Sequence, residues 1–111
     1  MGSAQAIADL DPAALKSLLD APEAPLVLDV REDWEREAAR LPGTLDIPMM
    51  QIPQRLAEIP RDRAIVVMCH GGVRSLKVAH YLAQNGFSQV ANLAGGIHAW
   101  ACEVDPTIGT Y

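Results

Sequence analysis

The sequence predicts an α/β domain, a three-layer arrangement in which a central, mainly parallel sheet of about five strands is flanked by helices. Three observations predict it. The runs Leu26-Val27-Leu28 and Ile65-Val66-Val67-Met68 are apolar at successive positions, as strands buried on both faces are. Helix-favouring stretches fall between such runs, and breaks containing proline or glycine separate the two kinds. Strands that alternate with helices in this way are joined by right-handed crossovers into a parallel sheet covered on both sides.

The elements follow in order. Asp11-Pro12 is an N-cap followed by proline at the first helical position, and Leu15, Leu18 and Leu19 recur at helical spacing, which predicts a helix from about Pro12 to Asp20. A strand follows over Leu26–Val30, then a charged helical turn or two from Glu32 to Ala38, then a break at Pro42-Gly43. Thr44–Ile47 reads as a short strand and Pro53–Glu58 as a short helix. Ile65–Met68 is the strongest strand signal and belongs in the middle of the sheet. From Arg74 a helix carries Ser75, Val78, Ala79, Leu82 and Ala83 on one face and Lys77, His80 and Gln84 on another, ending at Asn85-Gly86. Val90–Leu93 is the last strand, Gly95-Gly96 a tight turn, Ile97–Cys102 the final helix, and Asp105–Tyr111 a tail expected to be mobile.

Length and composition fit one domain over residues 1–111, with a core from about 7 to 103 and a C-terminal tail from 104 to 111. Half the residues are hydrophobic and 21% charged, so the chain is expected to fold alone. The net charge is -5, and the nine Lys and Arg are scattered, which argues against a nucleic-acid partner. No apolar run approaches the roughly 20 residues of a membrane span, and the N-terminus lacks a basic stretch leading into an apolar one. The reading is a soluble, unexported protein with no membrane partner. Two cysteines make no disulfide framework, which fits a reducing compartment such as the cytoplasm. His70, His80 and His98 have no metal-ligand spacing; His80 and His98 read as surface residues, and neither a metal nor a cofactor is implied.

Function therefore narrows to what surrounds each thiol. Cys69 directly follows the central strand, and in open parallel sheets ligands bind beyond the carboxyl ends of the strands. Gly71 and Gly72 allow the chain between Cys69 and Ser75 to curl so that its N–H groups point inward as an anion-binding nest. The positive end of the following helix adds to that field, favouring thiolate over thiol and holding the oxygens of an anionic substrate. Arg74 closes the loop with a charge suited to the same anion. Such a thiolate suits attack on a soft atom, and sulfur transfer meets that demand. The alternative is a buried, inert thiol with glycines that merely turn the chain.

Four segments together resemble one family, the rhodanese-like sulfurtransferases, over about Ile7 to Glu103. They are Leu28-Asp29-Val30-Arg31-Glu32, Leu41-Pro42-Gly43-Thr44-Leu45-Asp46-Ile47-Pro48, Val67-Met68-Cys69-His70-Gly71-Gly72-Val73-Arg74-Ser75 and Leu93-Ala94-Gly95-Gly96-Ile97-His98-Ala99-Trp100. The resemblance implies that Cys69 takes the outer sulfur of thiosulfate or another persulfide donor and passes it to a thiol or cyanide acceptor. It implies binding by His70, Gly71, Gly72, Val73, Arg74 and Ser75, with Asp29 and Arg31 in support. A small anionic sulfur donor and a thiol acceptor are the implied partners, a thioredoxin-like or other sulfur-accepting protein among them. Cys69 to Arg74 is six residues, one fewer than the loop of the related dual-specificity phosphatases, which favours sulfur over phosphate. The chain departs from the family where Ala39-Arg40 replaces the usual Gly-His of the second segment.

Asp29 and Arg31 read more readily as a charge pair that fixes loops than as reacting groups. His70 sits where it could tune the thiolate or face solvent. Cys102 reads as a packed or partly exposed helix residue rather than a resolving thiol, and Trp34 and Trp100 as core or rim aromatics. Besides the enzyme, two other classes are weighed: a sulfur-carrier or regulatory module with negligible turnover, and, less favoured, phosphatase or arsenate reductase chemistry on a similar loop.

Overall fold

The computed structural model describes residues 7–111, so the first six residues of the stretch read as carrying no leader lie outside it. Five parallel strands, β1 (Ala8–Leu10), β2 (Leu26–Asp29), β3 (Leu45–Asp46), β4 (Ile65–Met68) and β5 (Val90–Leu93), form one sheet in the order β1-β5-β4-β2-β3. The apolar run of β4 is central, as expected. It is buried along its whole length because both faces are covered: Ile65 and Val67 join one cluster, Val66 and Met68 the other. At roughly 1.5–3 kcal/mol for each fully buried large aliphatic side chain, this strand is a major source of stability.

On the first face lies α3 (Val73–Gln84), which packs Val78, Ala79 and Leu82 against Leu28, Ile65 and Val67, with Ile52 and Ile59 from the connection before β4. On the second lie α1 (Pro12–Leu19) and α4 (Gly96–Glu103), burying Leu15, Ile97 and Trp100 against Val66, Met68 and Leu93. Asp11 caps α1 as its sequence predicts, accepting from the Ala14 amide at 2.7 Å, a contact worth about 1 kcal/mol. A short α2 (Asp33–Ala38) follows β2. No helix among the described residues is long and apolar enough to cross a membrane.

Three features depart from expectation. β1 is an added edge strand, too short and too acidic at Asp9 to show an apolar pattern. Pro53–Glu58 is 3-10 rather than α-helical, and a second 3-10 turn, Met49–Gln51, precedes it. The tail expected to be mobile instead turns back: Pro106–Ile108 form a 3-10 turn, and Ile108 and Tyr111 pack on the cluster that holds Trp100 and Leu41. Aromatic and aliphatic residues at 108 and 111 supply the apolar contact that draws it in.

Candidate active site

The site forms where β2 and β4, neighbours in the sheet, end side by side. Cys69 follows β4 and is 1% exposed, and its sulfur is met from three directions. The amides of Gly72 and Ser75 donate to Sγ at 3.1 and 3.4 Å, and the Ser75 hydroxyl lies at 3.3 Å. Burial alone would push the thiol pKa up and is the largest single influence. The Ser75 hydroxyl, the Ser75 and Gly72 amides and the Arg74 charge together outweigh it and hold the thiol below its ordinary value. The curled loop expected from the two glycines is present, but only Gly72 has the left-handed conformation, at φ +102. Gly71 is exposed beside it.

α4 pins this loop from below. Its Ile97 and His98 amides donate to the Cys69 and His70 carbonyls at 2.9 and 3.1 Å, so the helix N-terminus satisfies the loop backbone rather than facing a ligand. The approach requires glycine at 96, where a Cβ would fall 2.2 Å from the His70 carbonyl oxygen at φ +62.

Ser75 is held in turn by Asn92, a buried polar residue of β5 that the sequence reading did not single out. The Ser75 hydroxyl donates to Asn92 Oδ1 at 2.5 Å, and Asn92 Nδ2 donates to Asp9 Oδ1 at 3.0 Å and to the Gly72 carbonyl at 3.3 Å. Those two donations fix the amide with its oxygen towards Ser75. The hydroxyl carries one hydrogen and has two acceptors, the Asn92 oxygen and the sulfur. The signal for Asn92 was an asparagine inside a strand, where that residue is depleted.

Asp29 and Arg31 lie together at the end of β2, both 0% exposed. Arg31 uses its whole fork: Nε and Nη2 donate to Asp29 at 3.0 and 2.8 Å, Nη2 also to the Ala39 carbonyl at 2.8 Å, and Nη1 to the Glu35 carbonyl at 3.1 Å and the Tyr111 hydroxyl at 3.0 Å. No donor is left for a substrate. At Ala39-Arg40 the buried Ala39 joins this network through its backbone carbonyl, and Arg40 points away to Asp46 at 2.9 Å; nothing in the structure explains the two side chains.

Arg74 is drawn towards α2. Its two terminal nitrogens donate to the carboxylate of Glu35 at 2.8 and 2.7 Å, a bidentate pair. Glu35, also absent from the sequence reading, accepts in addition from the Glu32 amide at 2.8 Å and the Tyr111 hydroxyl at 3.3 Å. The hydrogen bond to Arg74 is the largest influence on Glu35 and pulls its pKa down to about 2, against burial. In sequence Glu35 is one acid among several in a charged helix, with nothing to set it apart. Tyr111 carried no signal in a polar tail, yet its ring lies 4.5 Å from that of His70 and edge-on to Trp34 at 5.8 Å.

His70 is half-buried, with its Nε2 bonded to no protein atom among the described residues. Val73 is 69% exposed at the loop's outer edge. His98 is exposed and His80 half-buried on α3, so the latter is less of a surface residue than expected. Cys102 is exposed on α4 with its sulfur 3.8 Å from His98 Nε2, Trp34 is exposed at the rim, and Trp100 is in the core.

A buried thiol at the end of a central parallel strand, met by the amides that lead into a helix, defines an α/β domain with a cradled cysteine at the carboxyl edge of its sheet. The comparisons make that class specific. A profile of the rhodanese-like domain matches residues 11–103, and the chain belongs to that family. It is 41% identical over 93 residues to a protein of Allochromatium vinosum described as a sulfurtransferase, covering 84% of this chain and 87% of that one. It is 37% identical over 100 residues to a putative sulfurtransferase of Bacillus subtilis, covering 90% and 96%. The crystal structure of a rhodanese-like domain protein from Staphylococcus aureus superimposes with a TM-score of 0.82 at 32% identity, covering 95% of this chain and 99% of that one.

Proposed function

We propose that this protein is a sulfurtransferase that moves a sulfane sulfur from thiosulfate or another persulfide-type donor to a thiol or cyanide through a persulfide on Cys69. The observation that carries the reading is the set of three hydrogen-bonding groups converging on one buried sulfur. The two amides favour the thiolate, the nucleophilic form, and the hydroxyl adds to them when its one hydrogen turns from Asn92 to the sulfur.

In the first half-reaction the Cys69 thiolate attacks the outer sulfur of the donor, a new S–S bond forms, and the donor's S–S bond breaks with its electron pair leaving on sulfite or a thiolate. In the second, the acceptor attacks the outer sulfur of the Cys69 persulfide and the thiolate returns. In this reading the loop from His70 through Gly71, Gly72, Val73 and Arg74 to Ser75 forms the binding site, with Gly72 and Ser75 in contact with the sulfur. Asp29 and Arg31 hold the loop's neighbour in place and touch no substrate. The cycle uses no cofactor.

The test is thiocyanate formation from cyanide with thiosulfate and with an alkanethiosulfonate as donors, measured above the uncatalysed rate. Activity with at least one donor is expected in the wild type and in Cys102→Ser, with loss to background in Cys69→Ser. Activity that survives in Cys69→Ser contradicts the reading. Loading of Cys69 without turnover would make the protein a sulfur carrier instead.

A further inference from the structure

Arg74 is the one permanently charged residue in the loop from Cys69 to Ser75, and it is the group expected to draw in an anionic donor. Its charge is already matched. Both terminal nitrogens are held by the Glu35 carboxylate, which is itself buried and takes two further hydrogen bonds, from the Glu32 amide and the Tyr111 hydroxyl. Close to the sulfur Arg74 still favours the thiolate. Further out, a guanidinium and a carboxylate in contact act as a dipole, whose field falls away faster than that of a single charge. A second cation nearby, the fully buried Arg31, is matched in the same way by Asp29. An arriving anionic donor therefore meets two arginines that are both matched by carboxylates, on a chain of net charge -5.

We propose that Glu35, by neutralising Arg74, sets the donor class of this site: neutral or singly charged organic carriers of sulfane sulfur, persulfides or thiosulfonates, in preference to the thiosulfate dianion. This rests on the reading of Cys69 as the sulfur acceptor. The rim suits an organic group, since Val73 is exposed and the Tyr111 ring bridges His70 and Trp34. With a persulfide, Cys69-S⁻ attacks the outer sulfur of R-S-SH, giving Cys69-S-SH and R-S⁻. With a thiosulfonate it takes the outer sulfur and releases the sulfinate R-SO2⁻. Glu35 touches none of the reacting atoms; it is a positioning residue that acts through Arg74.

The experiment compares thiosulfate with methanethiosulfonate, donors of like chemistry that differ by one unit of charge, as rates of sulfur loading on Cys69 at low and moderate salt. The wild type should load the monoanion at least tenfold faster, and its thiosulfate rate should stay flat or rise with salt, as for like-charged reactants. Glu35→Gln, checked for folding by circular dichroism, should shift the thiosulfate-to-thiosulfonate ratio about tenfold towards thiosulfate. A purely structural role would lower both rates together and leave the ratio unchanged, which would overturn the proposal. So would a wild-type thiosulfate rate that equals the thiosulfonate rate or falls steeply with salt, a result readable without any variant. If neither donor nor an alkyl persulfide loads Cys69, sulfur uptake itself is refuted; if both load without discrimination, only the role of Glu35 is.

Discussion

Two strand ends lie next to each other in this sheet, and they use polar groups in opposite ways. At the end of β2, Arg31 and Asp29 are fully buried and satisfy one another and the surrounding carbonyls, leaving nothing free. At the end of β4, the donors of Gly72 and Ser75 converge on a sulfur that has bonding capacity left. The first arrangement is closed and fixes the loops; the second is open and can receive an atom. Burial and polarity are common to both, so neither property by itself marks the reacting centre. Unused bonding capacity does.

The comparison breaks most visibly at Arg31. Arg31→Met should destabilise the fold by about 3–5 kcal/mol, because Asp29 is left as an uncompensated buried charge; urea denaturation measures it. A loss below about 1 kcal/mol would show that the closed end is not holding the structure.

A smaller effect is expected from the bridge between the two ends. Glu35 has its pKa lowered from 4.5 to about 2, so the folded state binds its proton less readily than the unfolded chain. The stabilisation is complete above pH 4.5 and is lost as pH falls towards 2. Solvent screening of the partly open Arg74 leaves this stabilisation at about 2 kcal/mol. Unfolding followed at pH 7 and pH 3 should show roughly half or more of this loss in the wild type, and Glu35→Gln should flatten it.

The smallest effect sharpens the open end. Ser75→Ala removes the hydroxyl whose one hydrogen can turn from Asn92 to a Cys69 thiolate 3.3 Å away, so the thiol pKa should move up and iodoacetamide alkylation at neutral pH should slow several-fold. The pH profile of alkylation reads it directly. An unchanged profile would mean that the Ser75 hydrogen stays with Asn92.

Much of this was legible in the sequence, and the parts that were not share a physical cause. β4 announced itself because a strand covered on both faces must be apolar throughout, and Cys69 stood out because a thiol, two glycines and a helix start in that order describe a nest. Asn92, Glu35 and Tyr111 gave no comparable signal. Each reaches the site through a contact distant in sequence: Asn92 to Ser75 across 17 positions, Glu35 to Arg74 across 39, Tyr111 to Arg31 across 80. Local patterning reports what a residue does to its own helix or strand, and these three act on someone else's.

The central claim is that Cys69 accepts a single sulfur and gives it back. Intact-mass spectrometry of the wild type, Cys69→Ser and Cys102→Ser, before and after exposure to an alkyl persulfide or a thiosulfonate, tests it most directly. One added sulfur in the wild type and in Cys102→Ser, none in Cys69→Ser, and its removal by a thiol after the donor is washed away is the predicted result. Sulfur that appears on Cys69→Ser, or no sulfur on any form with any donor, would contradict it.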